Sequence, residues 1–130
     1  MRPLLDARAL LNIVKRAELD KLRDAATLDL ALYEALNAIW KEHVLLERMD
    51  WNTAYEFSKL LSEVFNVIEK HGIEGLELDV LQQAVEHGIT IYDASYLTIA
   101  VKKNFILVTD DERLSEKIKN KITVKNSRSI

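Results

Sequence analysis

The chain has no cysteine, one proline, three glycines and three histidines in 130 residues. Without cysteine there are no disulfides, no thiolate metal sites and no thiol nucleophile. His43, His71 and His87 are too scattered for a histidine-dominated metal cage, so any metal must be held by oxygen. So few glycines leave no glycine-rich phosphate loop. The lone Pro3 marks no linker, and a single domain spanning 1–130 is expected. No run of some eighteen apolar residues is present, and Asp6 interrupts Leu4-Leu5 where a signal peptide would continue. The expectation is a soluble, cytoplasmic protein with no membrane partner.

What is present is an ordinary apolar fraction of 48%, enough for a real core, and a formal net charge of −3, which gives no overall attraction for a polyanion. The distribution of charge says more. Past residue 112, Arg113, Lys117, Lys119, Lys121, Lys125 and Arg128 face only Glu116. This stretch reads either as a landing strip for phosphates or as a solvated helix face and a frayed tail.

Apolar spacing predicts a strand over residues 3–5 and a helix carrying Ala9, Leu10, Ile13 and Val14. It then predicts a strand over 25–28 and a helix with the stripe Leu32, Ala35, Leu36, Ile39 and Trp40. A long helix capped by Asn52 or Thr53 is expected to end at His71-Gly72, with another short strand over 76–78. A helix is expected to start at Asp79 and stop at His87-Gly88, and the next, capped by Thr90, to carry Asp93, Tyr96, Leu97, Ala100 and Val101. Residues 105–108 form an apolar run typical of a strand covered on both faces; a helix over 111–119 and a strand over 122–124 follow. Strands alternating with helices predict an α/β domain: a three-layer α/β/α sandwich around a mostly parallel sheet, with ligands beyond the carboxyl ends of the strands. Trp40, Leu45, Leu46, Met49 and Trp51 cluster near a helix junction, where core packing is the simpler reading and a dimer or partner surface the other. His71 and His87, both before glycine, read as structural residues at helix ends.

Four acids stand out. Asp6 ends the first strand, where it suits a site or an N-cap. Glu34 lies off its helix's apolar stripe, with Asn37 one turn on, and taken alone reads as a solvent-facing residue. Asp93 opens an otherwise apolar stripe; an isolated buried carboxylate costs roughly several kcal/mol, so it needs a polar cleft or a cation. Asp110 and Asp111 follow the last apolar strand, one free for a site while the other caps a helix. If Asp6, Glu34, Asp93 and Asp111 converge, each pair at ~4 Å repels by roughly 4 kcal/mol at an effective dielectric near 20. Hard oxygen ligands favour Mg2+ or Mn2+, and such ions suit phosphodiester hydrolysis.

The segment His87-Gly88-Ile89-Thr90-Ile91-Tyr92-Asp93-Ala94-Ser95-Tyr96-Leu97-Thr98-Ile99-Ala100 resembles the third acidic motif of the PIN-domain family. Leu107-Val108-Thr109-Asp110-Asp111-Glu112-Arg113-Leu114 resembles its T-x-D-x-x-L/F motif, which selects Asp111 over Asp110 and adds Thr109. Tyr33-Glu34-Ala35-Leu36-Asn37 resembles its second motif. At the first motif the family places a small hydroxyl or amide residue two positions after the Asp, and here stands Arg8. The length is that of VapC-type toxins. The resemblance implies a magnesium- or manganese-dependent endoribonuclease, homodimeric and silenced by a small antitoxin. It makes Asp6 and Asp93 the principal metal ligands, with Glu34 and Asp111 completing the cluster and Asn37 and Thr109 as accessory residues; Arg8, where the chain departs from the family, reads as a group that binds the scissile phosphate, takes the place of a cation or weakens activity. The rival expectation is a PIN fold that binds RNA or protein without cutting, which Arg8 favours.

Overall fold

An apolar run in a parallel strand must be covered on both faces. Leu4 and Leu5 are fully buried, in strand β1 (Pro3–Leu5) at the middle of a five-stranded sheet. The computed structural model describes residues 1–130. β1 is followed by α1 (Ala7–Lys15), β2 (Ala26–Leu28), α2 (Ala31–Trp40), α3 (Trp51–Val67) and β3 (Glu69–His71). Then come α4 (Glu77–His87), α5 (Ile91–Lys103), β4 (Ile106–Val108), α6 (Glu112–Ile118) and β5 (Val124–Lys125). A 3-10 turn at Leu19–Leu22 precedes β2, and a wider π turn, Lys41–Leu45, prolongs α2.

The strands lie in the order β3-β2-β1-β4-β5, every neighbouring pair parallel. Parallel neighbours need crossovers, and crossovers are right-handed. The walk β1 to β2 to β3 therefore puts α1, α2 and α3 on one face, where they pack on one another. The return from β3 to β4 and on to β5 puts α4, α5 and α6 on the other. Lys117 of α6 donates to the Gly88 carbonyl behind α4 at 3.1 Å, tying that layer together. The result is the expected three-layer α/β/α sandwich, with a sheet wholly rather than mostly parallel. Because the chain leaves β1 in one direction and β4 in the other, the crevice beyond these two strands is the topological switch point. Leu5 and Val108 are in register there, so Asp6 and Thr109-Asp110-Asp111 emerge side by side.

Several sequence expectations are corrected. Residues 76–78 are not a strand: Glu77 already begins α4, and the strand is β3, whose Glu69-Lys70-His71 are polar because an edge strand pairs only with β2 and leaves much of its surface to solvent. Consequently α3 stops at Val67, not at His71-Gly72, and His71 sits in a strand, bonded to Glu69 at 2.7 Å and edge-on to the Phe105 ring. Asp50, rather than Asn52 or Thr53, caps α3, accepting the Thr53 N–H at 2.7 Å. On α2 the buried line is Ala31, Ala35 and Ile39, while Leu36 and Trp40 are exposed. Trp40, Leu45, Leu46 and Trp51 are not core; of that cluster only Met49 packs against it. Val101 is also exposed, whereas Ala94 through Ala100 are all buried, because the middle of α5 is enclosed on every side.

Candidate active site at the switch point of the sheet

Asp6 leaves the end of β1 and caps α1. Its N–H continues the ladder to the Val108 carbonyl at 3.0 Å, and its Oδ1 caps α1 by accepting the Ala9 N–H at 2.9 Å. Asp111 caps α6, accepting the Arg113 and Leu114 N–H groups at 2.9 and 3.2 Å. Asp93 stands in the first turn of α5, where its N–H donates to the Thr90 hydroxyl at 3.1 Å. Glu34 is not a free solvent-facing residue: the phenol of the fully buried Tyr96 donates to its Oε1 at 2.9 Å, joining α2 to α5 across the end of the sheet.

These elements bring Asp6, Glu34, Asp93 and Asp111 onto one cleft of about 470 Å³, with Arg8, Asn37 and Lys41 on its walls. Thr109 lies behind it, buried, where its hydroxyl accepts the Asp111 N–H at 3.1 Å and lies beside the Asp6 carboxyl.

Burial dominates the electrostatics. It pushes the Asp6 carboxyl from 3.8 up to about 7, helped by the charges of Asp110 and Asp93 and opposed by the Thr109 hydroxyl and the Ala9 N–H. Burial likewise raises Glu34, with Asp93 adding to the effect and the Tyr96 hydrogen bond opposing it. Asp93 is raised by burial and by Asp111, against the Thr90 hydroxyl and the Lys117 charge. Asp110 behaves oppositely. Burial is the largest single influence on it and would raise it, but hydrogen bonds from Ser127 and Asn12 together hold it below the usual carboxylate range. As the side chains stand, no three carboxylate or imidazole groups are gathered closely enough to make a ready metal cage.

Sequence reasoning passed over three participants. Tyr96 looked like one more apolar residue of the α5 stripe, Lys41 is visible only once α2 is seen to run along the cleft, and Asp110 was set aside beside Asp111. The position of Tyr96 three residues after Asp93, one helical turn away on the same face, was the available signal.

The exonuclease VapC9 of Pyrobaculum aerophilum is 40% identical to this chain over 125 residues, covering 93% of the chain and 89% of that protein. The chain belongs to the VapC family of PIN-domain proteins. A second VapC, the ribonuclease VapC3 of the same organism, is 35% identical over 97 residues, covering 75% of the chain and 73% of that protein. The VapC chain also superposes on the crystal structure of PAE2754 from Pyrobaculum aerophilum with a TM-score of 0.80 and 34% identity, over 99% of this chain and 94% of that one. No protein-family model matches the chain.

Proposed function

We propose that this VapC-family chain is a metal-dependent endoribonuclease, the toxin of a toxin–antitoxin pair, cutting RNA at the cleft formed by Asp6, Glu34, Asp93 and Asp111. The observation that carries the proposal is the meeting of four acids at the switch point, where burial and then neighbouring carboxylates push Asp6, Glu34 and Asp93 up, with the unpaired cations Arg8 and Lys41 on the same walls. Acids that burial and mutual repulsion make costly to ionise are a cation site in waiting. Their donor set, entirely carboxylate oxygen, fits Mg2+ or Mn2+, with Asp6 and Asp93 as the holding residues once side chains draw inward. When bound, the ion supplies charge neutralisation and an activated water. The chain's own share is positional: Tyr96 fixes the Glu34 carboxylate, the Thr109 hydroxyl ties the Asp111 N–H to the Asp6 carboxyl, and Arg8 and Lys41 orient the phosphate.

The same reading assigns the exposed apolar surfaces. Leu36, Trp40, Leu45, Leu46, Trp51 and Tyr55 lie along α2, its π turn and the start of α3, the helix flank next to the cleft, and suit a small antitoxin that reaches the acids. On the opposite layer, Leu78, Leu81 and Val85 of α4 suit a second copy of the chain in a homodimer. The binding-only reading draws on Arg8 and on the lack of a ready three-acid cage. Incubation with a circular RNA separates the possibilities: linearisation by magnesium or manganese and protection by chelator support endonucleolytic cutting. Trimming of linear RNA alone would support an exonuclease, and binding without any cutting the rival.

A further inference from the structure

On the far side of Asp110 and Asp111 lies a second, larger hollow of about 800 Å³ that the proposed chemistry leaves unused. Its walls are the end of α1, the start of α6 and residues 124–129, and Val124 is its one apolar lining residue, so it is not built for an apolar ligand or helix. The C-terminal wall is anchored, not frayed. Asp110 Oδ1 accepts the Ser127 N–H at 2.7 Å, and Oδ2 accepts the Ser127 hydroxyl at 2.6 Å and the Asn12 amide at 2.7 Å. Arg16 donates to Ser127 Oγ at 2.8 Å and Lys21 to its carbonyl at 2.9 Å, while Asn126 Oδ1 accepts from Arg128 and Ser129.

These bonds engage most of the hollow's other charged groups. Asp110 is satisfied by Ser127 and Asn12, one oxygen of Asp111 by the N-terminus of α6, and Lys15 and Arg16 are paired with Glu42 and Glu18. What remains facing outward is Lys125 and Arg128, both exposed and in no ion pair, on the wall opposite the exposed Asp111 and Glu112. Across the shared Asp110–Asp111 wall, Arg8 and Lys41 are also in no ion pair. Free cations thus bracket the acids on both sides, on a protein whose net charge is −3.

We infer that this hollow is a subsite for backbone phosphates of single-stranded RNA leaving the acidic cleft, gripped by Lys125 and Arg128. The inference rests on the ribonuclease reading for its substrate class. A chain passing from one concavity into the other must bend around the wall, which a single strand does and a duplex, stiff over ~150 bp, does not. The hollow holds no aromatic ring on which a base would stack, so its grip is on phosphate and is indifferent to sequence.

The test measures binding of a labelled oligouridylate to the full chain in chelator, so that nothing is cut, from roughly 50 to 200 mM salt. Each phosphate contact on a single strand contributes about 0.7 to the slope of log affinity against log salt, so Lys125→Gln with Arg128→Gln should lower that slope by about 1.4. Removing the same charge elsewhere, as Lys59→Gln with Lys103→Gln, should leave the slope as in the parent. An unchanged slope in the first pair, or an equal fall in the second, would overturn the subsite. So would equal affinity for a duplex of the same length, or displacement of the RNA by polyglutamate as readily as by unlabelled oligouridylate. Cleavage with magnesium is scored separately. Cutting without the slope change defeats the subsite alone, and the slope change without cutting defeats the ribonuclease reading while supporting the subsite.

Discussion

Replacing Asp6 by asparagine keeps an oxygen to accept the Ala9 N–H and removes the charge that the site resists. Burial, then Asp110 and Asp93, push this carboxyl from 3.8 to about 7 against its two hydrogen-bond donors. A carboxyl whose folded pKa lies above its unfolded value makes folding take up a proton. The parent's stability is therefore full below pH 3.8, declines as pH rises, and has lost the whole contribution above about 7. At ~1.36 kcal/mol per pH unit the interval sets an upper bound of about 4 kcal/mol, and relaxation with water entry brings the expected loss to about 2 kcal/mol. In chelator, Asp6→Asn should melt with the parent near pH 4 and roughly 6 to 10 °C above it at pH 8. Magnesium at 100 times its Kd should return about 2.7 kcal/mol to the parent and much less to the variant. Melts from pH 4 to 9, with and without magnesium, measure both. A variant that melts below the parent at pH 8, or by a margin independent of pH, would refute the electrostatic reasoning and leave Asp6 a helix cap.

Asp110→Asn should act in the opposite sense. Its folded pKa is lowered, so its contribution is present above the unfolded pKa and lost as pH falls through the folded one; the variant should cost roughly 1 to 2 kcal/mol at pH 7 and less at pH 3 by urea unfolding. Tyr96→Phe removes the phenol that holds Glu34 and should lower kcat about tenfold with little change in KM, read in steady-state cleavage. Arg8→Ser should tighten magnesium binding by calorimetry if Arg8 competes with the ion and raise KM for RNA if it clamps phosphate; no change in either would place it outside the site.

Much of the frame was legible because it rests on strong local signals. Leu4-Leu5 and residues 105–108 are apolar runs typical of a covered strand, and Gly88 and Thr90 punctuate α4 and α5 as a left-handed glycine and a cap should. β3 was illegible because the edge of the sheet asks for no apolar residues. Leu36 and Trp40 were misassigned because periodicity cannot distinguish an apolar face turned to the core from one left bare. At the site, Asp6 and Asp111 could be found from their places after strands, and Asp93 from a charge on an apolar line. The Glu34–Tyr96 bond and the Asp110–Ser127 anchor join residues 62 and 17 positions apart, and such pairings depend on the sheet order, which no local pattern contains.

The most direct test of the central claim is the initial rate of cleavage of mixed structured RNAs by the parent and by Asp93→Asn, each with magnesium, with manganese and with chelator. The account predicts cutting by the parent with either metal, none in chelator, and a loss of about 100-fold or more in Asp93→Asn, whose fold is retained. Cutting by Asp93→Asn at the parent's rate, or by the parent in chelator, would contradict it.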